Sequence, residues 1–123
     1  MKTTTEECLG IIKGIDNIKV HKMNINTAYK LLKIQNMLKQ VSDSYARIER
    51  GLVEECIDKE ETSKLTDGKI QIKEDKIDYY FGKIKEALEE PVYIDIEKIS
   101  IDEFADIEIS VETLGLLMPI IES

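Results

Sequence analysis

The sequence predicts a single α+β domain, a long antiparallel helical hairpin with a small β-sheet from N- and C-terminal strands. Three observations predict it. Leu31, Ile34, Leu38, Val41, Tyr45, Ile48 and Leu52 alternate steps of three and four, a heptad pattern with no Gly or Pro before Gly51. Ile77, Phe81, Ile84 and Leu88 repeat that spacing ahead of Pro91, which stops a helix. Val92, Ile94 and Ile96 then alternate with Tyr93, Asp95 and Glu97, the two-residue period of a half-buried strand. At 123 residues the chain supports one domain whose core needs no staples.

Within residues 1–18, Cys8, Ile11, Ile12, Ile15 and Ile18 recur at helical spacing. Gly10 and Gly14 each weaken such a helix by up to ~1 kcal/mol, so a short helix is expected. Residues 18–25 carry β-branched side chains in imperfect alternation and read as a short strand. Asn26 is a suitable N-cap for the long helix, expected over residues 27–57 and about 46 Å long. Residues 58–73 are charged and contain Asp67-Gly68, which favours positive φ; a β-hairpin or a plain turn between helices fits. Residues 74–123 supply a second helix over 74–89, a strand over 92–101 with a bend at Glu97-Lys98, and a terminal helix capped by Ser110. The second helix, about 23 Å long, covers only half of the first, so the chain ends or a second copy must cover the rest.

The charge is unevenly placed. The whole chain carries −8, yet residues 89–123 hold ten acids and one base. That segment is rich in Val, Ile, Leu and Phe, so it is folded rather than an acidic tail. Its carboxylates Asp95, Glu97, Asp102, Glu103, Asp106 and Glu108 are the candidate partner-binding residues, suited to a protein with a basic surface. The opposite bias lies in residues 13–39, with six lysines and one acid. Lys19, Lys22, Lys30 and Lys33 are candidate anion contacts from that region.

Other chemistries lack support. His21 is the single histidine, and no spacing or local signature links it to Cys8 or Cys56 as base and nucleophile. Asp95-x-Glu97 and Asp106-x-Glu108 lack the Gly turn and terminal Glu of a calcium loop, so no metal or other cofactor is expected. The basic segment holds no Arg and one aromatic, Tyr29, which argues against direct nucleic-acid binding. No apolar run approaches the roughly 20 residues of a membrane helix, and Glu6 and Glu7 stand where a signal peptide would be apolar.

From residue 19 onward the sequence resembles a family of small proteins from phages and prophages of Gram-positive bacteria, DUF1617. The resemblance rests on the entry Lys19-Val20-His21-Lys22-Met23-Asn24-Ile25-Asn26 and on the long charged helix through Glu54-Glu55. It continues in the Asp67-Gly68-Lys69-Ile70 turn, Leu88-Glu89-Glu90-Pro91-Val92, and the close from Ile99-Ser100-Ile101-Asp102-Glu103-Phe104 through Ile107-Glu108-Ile109-Ser110 to Leu114–Ile121. It implies a small accessory phage protein acting in a bacterial cytoplasm, with residues 1–18 as an N-terminal extension beyond the family pattern. The expectation is therefore a non-enzymatic protein that binds and inhibits a host factor, such as a defence nuclease, through its acidic C-terminal surface. An assembly or chaperone role for the hairpin, or an oligomeric sponge for a signalling nucleotide, stands as the alternative; a homodimer is compatible with each.

Overall fold

The computed structural model describes residues 1–123. The elements in chain order are β1 (Lys2–Thr4), α1 (Thr5–Ile18), α2 (Ile25–Cys56), α3 (Lys59–Ser63), α4 (Ile77–Glu89), β2 (Pro91–Tyr93), β3 (Ile99–Ser100), α5 (Val111–Leu117) and β4 (Ile121–Glu122). Short 3-10 turns lead into α4 at Glu74–Lys76, follow β3 at Ile101–Phe104 and follow α5 at Met118–Ile120. The architecture is α+β: a long helix, a shorter helix folded back on it, and two small sheets.

Helix α2 has 32 residues and spans about 48 Å. Its boundaries lie within two residues of the expected ones. Asn24, not Asn26, caps it: the Asn26 N–H donates to Asn24 Oδ1 at 2.8 Å. The mismatch in helix length is resolved inside the chain. Leu31, Ile34 and Leu38, in the first half of α2, are buried in the main core with Cys8, Ile11, Ile15 and Ile18 of α1. Helix α4 takes the second half, running antiparallel, with Tyr79 near its start donating to Glu55 Oε2 at 3.3 Å. Phe104, Leu117 and Ile120 close the main core, together with Ile99 of β3 and Ile121 of β4.

Three expectations are corrected. Residues 18–25 are not a strand: they end α1, turn, and enter the cap of α2. Val20 and Ile25 are 78% and 80% exposed, so their β-branched side chains pack on nothing and no ladder neighbour exists there. The N-terminal strand is instead Lys2–Thr4, antiparallel to Pro91–Tyr93 in the register Lys2 to Tyr93 and Thr4 to Pro91. Residues 1–18 are not an appendage either, because α1 contributes four of the twelve buried residues of the main core. Its glycines explain the weak helical signal. Gly14 sits where a Cβ would meet Leu117 Cδ2 at 2.8 Å, so they admit α5 at close range. The third correction is rotational. In α4, Phe81 is 59% exposed and Ile77 37%, while Tyr80, Ile84, Ala87 and Leu88 are half-buried. The packing face is thus shifted from the predicted stripe.

The other local signals resolve simply. Asp67 and Gly68 have φ of 62° and 69°, the paired positive values that Asp-Gly favours. They make a plain turn, not a hairpin, since a single antiparallel bridge, Ile57 to Ile72, closes the loop. Strand character after Pro91 breaks at residues 94–98 and resumes in β3, which pairs in parallel with β4. Ser110 caps α5, accepting from the Thr113 N–H at 3.1 Å.

Candidate functional site

The acidic segment is a strap laid across the core. Val92, Ile94, Ile96, Ile99, Phe104, Ile107 and Ile109 anchor it inward. Between these anchors Asp95, Glu97, Asp102, Asp106 and Glu108 are exposed. Little of the strap is regular structure, so its shape depends on the anchors and on local caps. Ser100 Oγ accepts from the Asp102 N–H at 3.3 Å and starts the 3-10 turn that carries Asp102 and Glu103.

Glu103 differs from the other five. Its Oε2 accepts from Lys30 Nζ at 2.8 Å and its Oε1 from the Thr27 hydroxyl at 3.3 Å. Thr27 is buried, at 1% exposure, so the strap is tied to the first turns of α2. The hydrogen bond from Lys30 holds the Glu103 carboxyl below the usual carboxylate range, against a smaller opposing effect of burial. The same bond raises Lys30 above the ordinary lysine value. The remaining five carboxylates have no Lys or Arg nitrogen within 4.0 Å. Asp95 and Glu97 nevertheless line a shallow pocket with Lys30 and Lys33.

The four candidate anion contacts do not form one site: only Lys30 and Lys33 share that pocket, and it also holds Asp95 and Glu97. Lys19 pairs with Asp16 at 3.2 Å, and Lys30 is committed to Glu103. Lys33 lies 5.9 Å from the centre of the Tyr29 ring. Lys22 is exposed beside the α1–α2 turn. Nor do the thiols meet the histidine. His21 is exposed ahead of α2, whereas Cys56 is buried at the far end of that helix, about 48 Å along it. Cys8 is buried in the core, and burial, aided by Glu7, raises its thiol pKa away from the nucleophilic form. No group of three or more His, Cys, Asp or Glu is placed to hold a metal ion. No helix is long and apolar enough to cross a membrane.

One feature was not anticipated from the sequence. A trough of about 770 Å³ runs between α2, α4 and β2. Val41, Tyr45, Ile48 and Leu52 form one wall, and Ala87 and Val92 lie opposite. Tyr45 is pushed up to about 12, chiefly by burial and then by the nearby Glu49 carboxylate. Its phenol therefore stays neutral through the physiological range. Its α2 wall is the second half of the heptad stripe itself, so those residues are legible in the sequence, whereas the spacing of α4 and β2 against them is a tertiary property and is not.

No protein-family model, curated protein or solved structure matches the chain.

Proposed function

We propose that the chain is a non-enzymatic binding protein that occupies the basic surface of a protein partner through the strap carboxylates Asp95, Glu97, Asp102, Asp106 and Glu108. One observation carries this reading. Five carboxylates without cation partners are displayed on a strap held by seven apolar anchors. Like charges concentrated on one surface repel each other, and an ordered array of them is pre-organised for a complementary basic face. Glu103 belongs to the support, since Lys30 and Thr27 already satisfy it.

The resemblance to small phage and prophage proteins supports a specific setting: an accessory protein in a bacterial cytoplasm that inhibits a host factor, such as a nucleic-acid-binding defence nuclease. An acidic surface of this kind would compete with nucleic acid for a basic channel.

The test is an inhibition assay with a candidate nuclease of the host, using the wild-type chain and a variant in which the five carboxylates become amides. The proposal expects inhibition by the wild type that weakens steeply as salt rises, because exposed charges are screened over about 8–10 Å. It expects the amide variant to lose that inhibition while keeping its fold. Equal inhibition by the two, insensitive to salt, would transfer the function to the apolar trough.

A further inference from the structure

We propose that the chain forms a two-fold dimer in which two α2 helices pack antiparallel through a seam centred on Ser44. The second half of α2 and helix α4 make a two-helix layer whose trough is bounded on one side by Thr5 and β2, with Met37 and Ile48 of α2 left exposed. A layer of this kind buries its apolar face against a second layer, and two such hairpins complete a four-helix arrangement.

The occupant is read from α2 itself. Lys33, Met37, Gln40, Ser44, Ile48, Gly51 and Glu55 succeed one another by 4, 3, 4, 4, 3 and 4 residues. At about 100° per residue these seven positions share one face of the helix. All are exposed except half-buried Ser44, and Met37 and Ile48 are 43% and 49% exposed. The spacing reads the same from either end. In an isologous contact, residue i meets j and j meets i. About a two-fold axis at Ser44, Lys33 therefore faces the Glu55 of the second copy, Met37 faces Gly51, and Gln40 faces Ile48.

Two of the three pairings are chemically matched. Lys33 and Glu55 have opposite charge. Gly51 has nothing within 4 Å of the point where a Cβ would stand, which leaves room for a methionine from outside. Within the single chain that glycine weakens the helix without any packing return. The wider charge distribution fixes the direction. Residues 25–40 of α2 carry three lysines and no acid, whereas residues 41–56 carry four acids and two arginines. Antiparallel packing sets the basic half of each helix against the acidic half of the other, and parallel packing sets like against like.

Sedimentation equilibrium of the full chain at micromolar concentration should give twice the 14.1 kDa chain mass. Lys33→Glu and Glu55→Lys should each weaken association by about tenfold or more, and the double reversal should restore it. Ser44→Cys should be linked into dimers by a short bifunctional thiol reagent, because Cys8 and Cys56 are buried. Circular dichroism of each variant reports whether α2 is intact. A 14.1 kDa species at every concentration, with helicity unchanged, would overturn the proposal. So would a double reversal that remains as dissociated as the singles.

Discussion

Gly14 of α1 and Leu117 of α5 are in contact so close that a Cβ on Gly14 would lie 2.8 Å from both Cγ and Cδ2 of the leucine. Leu117 is fully buried, so it has no free space into which to withdraw. The glycine is therefore a packing device. It lets two helices approach where a side chain would hold them apart.

Gly14→Ala should destabilise the fold by roughly 1–3 kcal/mol, the ordinary cost of overpacking. Gly82→Ala is the control, since nothing lies within 4 Å of its Cβ position in α4. That change should stabilise by about 0.5–1 kcal/mol through helix propensity alone. Urea denaturation of the two variants measures both signs. Matching effects would mean that α5 does not sit on α1.

Leu38 and Phe81 separate the two helices of the hairpin by burial. Leu38 is 0% exposed and Phe81 is 59% exposed, although both occupy predicted stripe positions. Leu38→Ala should cost about 2–5 kcal/mol. Phe81→Ala should cost under about 1 kcal/mol, mainly its edge-to-face contact with Tyr80. Thermal unfolding of the pair checks the ordering.

These positions also mark how far the sequence could be read. The existence of α2 and α4, the Pro91 stop, the Asp67-Gly68 turn and the Ser110 cap are encoded by neighbours in sequence, and each was legible. The role of α1 was not. Propensity registers Gly10 and Gly14 as costs, and only the position of α5, a hundred residues away, shows what they permit. Val20 and Ile25 suggested a strand because β-propensity describes fitness for a packed surface, and no such surface lies beside them, while Ile18 is buried as the last residue of α1. In the candidate site, the alternation of anchors and carboxylates was legible. The diversion of Glu103 to Lys30 and Thr27 depends on tertiary contact and could not be.

The Glu103–Lys30 pair sets a pH signature. Glu103 is lowered in the fold, so its contribution is present above the ordinary glutamate pKa of about 4.3 and is lost as pH falls through its folded value. Lys30 is raised, so its contribution is full below about 10.4 and is lost as pH rises through its folded value. Denaturant midpoints should show the acid loss in the wild type. Glu103→Gln should flatten that limb below pH 4.3, and an unchanged limb would remove the pair as its source.

Tyr45 supplies the alkaline counterpart. Its phenol is raised to about 12 by burial and by Glu49, so the folded state resists the phenolate. Stability from this group is full below the ordinary tyrosine value near 10 and is lost as pH climbs from there to about 12. An ultraviolet titration should show phenols that ionise late in the folded chain, Tyr79 and Tyr80 being raised as well, and Tyr45→Phe should remove one phenol from that late phase.

The strap makes the last prediction, because two classes of carboxylate sit on one segment. Glu103 is bonded to Lys30 and Thr27, whereas Asp102 and Asp106, one and three residues away, meet no cation. Glu103→Gln removes the charge that holds Lys30 and should lower stability, while leaving affinity for a basic partner largely intact. Replacing Asp102, Asp106 and Glu108 by amides relieves repulsion and breaks no ion pair, so stability should stay equal or rise. Affinity for the basic partner should fall sharply in that variant, and its salt dependence should shrink with the charge removed. Calorimetric titration with a basic partner, beside thermal unfolding, yields both quantities for both variants. If the amide substitutions lowered stability and spared binding, the exposed carboxylates would be structural, and recognition would have to be sought along the trough between α2 and α4.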